Sequence, residues 1–248
     1  MLVLTRETTE QPQSPVGPNW SNPLSKGLLA LFCGPSGFEL VNRLQFLQDG
    51  SPTQAVTAAG RTIQTVTNAA SYDGFYAPEN ASGSRSTKLY DPSSPPVVVW
   101  CVGNGKSGVN LGAGFARGRG SSAGLPFGVG FWDGGFKGAW LAVNTTGGTI
   151  GVSIPTTTIN TTQGQHVAVA VIGATTTTCY IDGIACYSAA TPSGSFSYEY
   201  ADIYRCLSIG GGYVFAGGNI AAAGLHAGVE WTPTQVMQFS ANPWQVFE

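Results

Sequence analysis

Charge is what this 248-residue chain has least of. Asp, Glu, Lys and Arg make up 10% of it, against about 25% in an ordinary globular domain. Long exposed helices need charged, straight-chain residues on their wet face, so a helical class is excluded. The 11 basic and 13 acidic side chains nearly cancel to a net charge of −2. The densest basic spot, Arg117-Gly118-Arg119, holds two charges in a Gly-rich loop. No electrostatic footprint for nucleic acid or an anionic membrane is present. Histidine is nearly missing too. With two His, and five Cys (33, 101, 179, 186, 206) that form no Cys-x-x-Cys, a zinc site has almost no material. Neither a metal nor any other cofactor is expected. No apolar run nears the ~18 residues of a membrane span. Residues 1–13 lack the basic start and apolar stretch of a secretory signal, so a cytosolic origin is expected.

What is present is glycine, at 35 residues, with 15 Pro, 11% aromatics and 42% hydrophobics. That apolar content excludes a disordered chain, and Gly-punctuated, Val/Thr/aromatic-rich segments of five to eight residues are the signal of strands. The clearest are 27–33, 97–102, 167–172, 179–187 and 224–231, so the expectation is all-β. Asp182-Gly183 supplies the two positive-φ positions of a type I′ hairpin turn. That register pairs Ile181 with Ile184, Tyr180 with Ala185 and Cys179 with Cys186. The last is a hydrogen-bonded pair, awkward for a disulfide, so two buried thiols are expected. One short helix is expected near the end: Thr232 caps, Pro233 takes the first position, Val236 and Phe239 share a face, and Asn242-Pro243 stops it. Residues 1–22, with Pro12, Pro15 and Pro18 at near-regular spacing, read as an extended arm ahead of a single domain over 23–248. Pro12, Pro15, Pro18 and Trp20 are the arm's candidate partner-binding residues.

Several segments together carry a family resemblance. Gln165-His-Val-Ala-Val-Ala170 is followed by Tyr180-Ile-Asp-Gly183. Leu207-Ser-Ile-Gly-Gly-Gly212 leads to Phe215-Ala-Gly-Gly-Asn-Ile220. Trp231-Thr-Pro-Thr-Gln-Val236 runs to Asn242-Pro-Trp-Gln-Val-Phe247, and the chain opens its domain with Asn22-Pro-Leu-Ser-Lys-Gly-Leu-Leu-Ala30. In this order they resemble the concanavalin A-like lectin/glucanase superfamily in its laminin-G-like form, and phage-encoded members of it at both ends. The resemblance covers roughly 20–248, with a poorly matched middle. It implies a jelly-roll sandwich of two antiparallel sheets and a virion source, assembled in the host cytoplasm. The acids with which some members hold calcium are absent here, at Asn219-Ile220-Ala221 and Cys33-Gly34-Pro35, so no calcium site carries over.

Catalytic chemistry finds little material. Glycoside hydrolysis needs two carboxyls facing one bond, but Glu199 and Asp202, three apart, fall on opposite faces of a strand. No Gly-x-Ser-x-Gly elbow occurs, and Gly34-Pro-Ser-Gly37 has the wrong order. Gly103-Asn-Gly-Lys-Ser107 lacks a phosphate loop's first glycine and its helix, as Gly112-Ala-Gly114 and Gly128-Val-Gly130 lack the helix of a dinucleotide fingerprint. His166 and His226 have no acid or nucleophile nearby in sequence. No catalytic residue is therefore assigned. For glycan binding, an aromatic platform beside polar hydrogen-bonders is best supplied by Trp132, Asp133 and Trp140 in the Gly-rich stretch 131–140; the same aromatics could instead fill the core or an interface. The leading expectation is a non-enzymatic virion structural protein: a capsid decoration (cement) protein that oligomerises with itself and binds coat or tail proteins through arm and sheet. The alternative is a lectin-like module for a surface glycan, and a weaker one a glycoside hydrolase.

Overall fold

The run Val97–Val102 and the segment His166–Ile172 have no polar alternation, and in a computed structural model of the chain every residue of both is buried. A strand apolar on both faces needs a layer on each side. That is the plan of the molecule. The structure describes residues 17–33, 38–45, 47–49, 53–56, 62–66, 74–76, 92–105, 110–117, 127–133, 137–155, 166–196, 205–210 and 218–248.

The strands, in chain order, are β1 Leu28–Cys33, β2 Phe38–Glu39, β3 Leu44–Gln45, β4 Leu47–Asp49, β5 Thr53–Val56, β6 Thr62–Val66, β7 Gly74–Tyr76, β8 Val97–Gly105, β9 Asn110–Arg117, β10 Phe127–Asp133, β11 Lys137–Thr145, β12 Gly148–Pro155, β13 His166–Ile172, β14 Thr176–Ile181, β15 Ile184–Ala190, β16 Arg205–Gly210 and β17 Gly218–Ala227. They form a ten-stranded sheet, β15-β14-β13-β8-β17-β1-β2-β3 with β6 also on β17 and β5 on β6, and a seven-stranded sheet, β12-β11-β10-β9-β16-β7-β4. Neighbours in both sheets pair antiparallel. The expected all-β sandwich of two antiparallel sheets is therefore the observed one.

Between the sheets lies a first core: Val97, Val99 and Cys101 of β8 and Ala168, Ala170 and Ile172 of β13 face Phe127, Val129, Phe131, Leu141 and Val143. The intervening residues of the same strands, Val98, Trp100, Val102, Val167, Val169 and Val171, face a second core on the far side of the large sheet. Its cover is α1, Pro233–Ala241, followed by a 3-10 turn over Pro243–Val246. The helix starts where expected. Thr232 Oγ1 accepts from the Gln235 amide and the Gln235 side chain accepts from the Thr232 amide, a reciprocal cap. Val236 and Phe239 are its buried face, and Phe239 packs 4.7 Å from the Trp100 ring and 5.0 Å from Trp231. Trp231 itself follows the last strand, which ends at Ala227 rather than running on to 231.

Residues 17–22, the end of the expected arm, lie on the chain's own tail. Pro18 bridges Phe247, Gly17 and Glu248 exchange two backbone hydrogen bonds (2.9 and 3.0 Å), and the Asn19 amide donates to Val246 O at 2.8 Å. Asn22 caps a 3-10 turn over Pro23–Ser25 and bonds Gln245 O.

The β14–β15 hairpin corrects the register expected for it. Asp182 (φ 51°) and Gly183 (φ 82°) make the turn as expected, and Ile181–Ile184 and Tyr180–Ala185 pair. Cys179, however, opposes Tyr187. Cys186 is the extra residue of a β-bulge, which lets both Cys186 and Tyr187 pack toward the first core. The two cysteines are not bonded to each other.

Candidate functional site

Strand alternation sorts the small sheet into two faces. Phe127, Val129 and Phe131 of β10, Ala139, Leu141 and Val143 of β11 and Ile150 and Ile154 of β12 point into the first core. The residues between them belong to the other face, and glycine is frequent there. Register links one cross-strand row of seven residues, Ser153–Trp140–Gly130–Gly112–Gly210–Gly74–Asp49. The next row is Gly151–Ala142–Gly128–Gly114–Ser208–Tyr76–Leu47. Four contiguous glycines across β10, β9, β16 and β7 make a stretch of sheet about 14 Å wide with no side chains, at the ~4.8 Å spacing of strands. Glycine weakens a strand and has no side chain to pack, so its concentration on one face marks a surface where something approaches the backbone closely.

At one end of the row sits Trp140. Only 9% exposed, it belongs to neither core, because its position in β11 faces away from the inter-sheet space. Gly128 and Gly130 beside it are also buried. Outward positions of β12, namely Thr149, Gly151, Ser153 and Pro155, are exposed, and a Cβ added at Gly151 would meet nothing within 4 Å. The face is thus covered at Trp140 and open at the β12 edge. Gly138 has a separate reason to be glycine, since a Cβ there would collide with the Ile154 carbonyl.

Trp132 lies two residues beyond Gly130, opposite Gly138 and Asn110, and Asp133 pairs with Lys137 at the end of β10. The backbone thus brings the three residues of the glycan candidate onto one hairpin; the side chains of Trp132 and Asp133 lie outside the described residues. So do Pro12, Pro15, Glu199 and Asp202. Pro18 is buried against the chain's own tail, an intramolecular contact where one with a partner was expected, whereas Trp20 is 58% exposed. The glycine rows did leave a trace in the sequence: Gly112-Ala-Gly114 and Gly128-Val-Gly130 repeat at the two-residue period of a strand face.

The histidines separate into different environments. His166, without an acid near it in sequence, has one in space: Nδ1 lies 2.6 Å from Asp182 Oδ2, sixteen residues on. Asp182 Oδ1 also accepts from the Val167 amide at 2.8 Å, and its own amide donates to Val167 O. The hairpin turn folds its Asp back onto the start of β13, so the pair orients an imidazole and fastens the turn at once. His226 is fully buried in the second core; Nε2 accepts from Trp100 Nε1–H at 3.0 Å and Nδ1–H donates to Lys26 O at 3.1 Å. Burial pushes its pKa down to about 4. Glu39, also fully buried, accepts from the amides of Leu31, Val41 and Asn42 and from the Asn42 side chain. It organises a turn. Among the described residues no group of three or more His, Cys, Asp or Glu could hold a metal ion, and no helix is long and apolar enough to cross a membrane.

No protein family's sequence model and no curated protein sequence matches the chain. Solved structures do match. Domain 4 of AbnA, a GH43 extracellular arabinanase from Geobacillus stearothermophilus, solved in complex with arabinotriose, superposes with a TM-score of 0.53 at 14% identity, covering 86% of this chain and 98% of that one. The binding domain of Paraclostridial Mosquitocidal Protein 1 gives 0.59 at 9% identity over 86% of this chain and 52% of its own. Trypanosoma rangeli sialidase in complex with the inhibitor DANA gives 0.52 at 9% identity over 86% of this chain. The chain spans about half the length of the toxin structure and, at 32%, about a third of the sialidase. At these identities what is shared is the fold, a sandwich of two antiparallel β-sheets.

Proposed function

We propose that the chain is a non-catalytic carbohydrate-binding module whose ligand lies across the outer face of the seven-stranded sheet, beside the β10–β11 hairpin. The observation that carries this reading is the glycine row ending at Trp140. A sugar ring presents a flat C–H face to an aromatic plane and hydroxyls to neighbouring polar groups. A floor without side chains lets that ring come close, Trp132 supplies the plane, and the exposed Thr149 and Ser153 at the open β12 edge supply hydroxyl partners. The fold supports the reading, since one neighbour of matching length was solved with arabinotriose and another is a toxin's binding domain.

The test is titration of the purified chain against a panel of arabino-, sialyl- and gluco-oligosaccharides. Wild type binds at least one, and Trp132→Ala weakens it by about tenfold, the equivalent of ~1.4 kcal/mol, with Tm unchanged. A panel without a binder at millimolar concentration, or a Trp132→Ala chain that loses Tm but retains affinity, would sink the proposal.

A second reading, the virion structural protein that associates with copies of itself and with coat subunits, is favoured by one observation. The outermost strands on one side of the two sheets, β12 and β15, carry no charged residue, and charge is the usual device that keeps edge strands from pairing with other chains. The exposed Ile184 (61%) adds to that edge. Sedimentation of a strictly monomeric protein at high micromolar concentration would remove this reading and leave the first untouched.

A further inference from the structure

The bulge in β15 does more than shift a register. It displaces Cys186 from the position directly opposite Cys179, where hydrogen-bonded pairing would hold two cysteines in poor geometry for a bond. Cys186 instead leans over its neighbour, its thiol donating to Cys179 O at 3.3 Å. Cys179 is fully buried in the first core, whereas Cys186 is half-buried at the sheet edge. Of the two residues, Cys186 is partly exposed and Cys179 is not.

We propose that Cys186 is a site of oxidation by small hydroperoxides, with Cys179 as the resolving thiol that converts the product to a disulfide across the bulge. The Cys186 thiolate attacks one peroxide oxygen; the S–O bond forms, the O–O bond breaks, and the departing alkoxide or hydroxide takes up a proton to leave as alcohol or water. Sulfur is oxidised by two electrons and the peroxide reduced by two. The Cys179 sulfur then attacks the Cys186 sulfenic sulfur; the S–S bond forms, the S–O bond breaks, and hydroxide leaves as water with the Cys179 proton. A dithiol reduces the disulfide back to the two thiols and is itself oxidised. The electrostatics agree with this division of roles. The hydrogen bond from Cys179 holds the Cys186 thiol below its ordinary pKa, and that same bond, together with burial, pushes Cys179 well up. Cys33, by contrast, is pushed up to about 12 by burial.

The experiment treats the full-length native chain with stoichiometric hydrogen peroxide, alkylates what remains and maps the peptides. Expected is a mass loss of two hydrogen atoms, with residues 179 and 186 both protected from alkylation and both restored by dithiothreitol. Cys179→Ala should stop at a Cys186 sulfenic acid that dimedone traps, and Cys186→Ser should leave Cys179 unoxidised. The wild-type map decides the matter even if a variant folds poorly. An alkylatable Cys179 beside an over-oxidised Cys186, a disulfide joining Cys179 to Cys101, or an unreacted Cys186 would each overturn the proposal.

Discussion

His226 is a base held with no charge to meet. Its two ring nitrogens are committed, one receiving the Trp100 indole N–H and the other giving its hydrogen to Lys26 O. A second proton would set Nε2–H against the indole N–H in a fully buried site. The folded pKa of about 4 lies below the 6.5 of a free imidazole, so between these values the unfolded chain binds the proton and the folded chain does not. Stability from this residue is complete above pH 6.5, declines as pH falls through that window and levels off near 4. The loss is on the order of 3 kcal/mol at ~1.4 kcal/mol per unit. Urea unfolding of wild type and His226→Gln at pH 7.5 and 4.5 isolates it: wild type should lose more stability than the variant, and equal losses would contradict the linkage. Gly224 belongs to the same arrangement, since a Cβ there would run into the Trp100 indole. The sequence shows His226 only as one of two scarce imidazoles. Its environment comes from a residue 126 positions away, beyond the reach of local pattern.

At the level of the element, what is locally encoded is what the sequence reveals. Thr232-Pro233 and Asp182-Gly183 set their own backbones, and helix and turn occur where expected. Replacing Thr232 by Ala removes the Oγ1 acceptor of the cap and should cost about 1 kcal/mol. In a chain of this size that lowers Tm by roughly 2–4 °C, read by calorimetry. A drop confined to helical signal, with the sheet transition unmoved, would mean that α1 is not coupled to the sandwich. The bulge in β15 was not legible, because two residues beyond the turn the choice between Cys186 and Tyr187 opposite Cys179 is made by packing against the first core. The same limit applies to His166 and Asp182, each visible in its own motif, whose 2.6 Å contact needs the hairpin to fold back on β13.

The whole molecule is a sandwich with a third, partial layer. Composition pointed to strands and the family resemblance to two sheets, but neither said that the larger sheet is covered on both faces. The cover is assembled from both ends of the chain: Leu24 from one and Trp231, Val236, Phe239, Trp244, Val246 and Phe247 from the other. Ending the chain at Asn242 removes the buried Pro243, Trp244, Val246 and Phe247, of which the last three are worth ~1.5–3 kcal/mol each, comparable with a domain's entire stability of ~5–15 kcal/mol. Such a variant should show no cooperative thermal transition and should bind a hydrophobic dye at 25 °C; a sharp transition within a few degrees of wild type would show that the sandwich stands without its third layer. The abundance of glycine is likewise best read at this scale. Residue by residue it suggested turns, whereas register gathers seven of the 35 glycines into two rows on one face.

The pairing of Gly17 with Glu248 also determines how the molecule would bear a load. The two segments run antiparallel and their outermost residues are adjacent, so tension between positions 17 and 248 acts as on a zipper: the Gly17–Glu248 bonds break first and the Asn19–Val246 bond next. Each rupture takes a small force over a long extension, and the tail peels from the large sheet before either sheet is strained. The Gly17–Glu248 junction is therefore the point at which force first begins to uncover the second core.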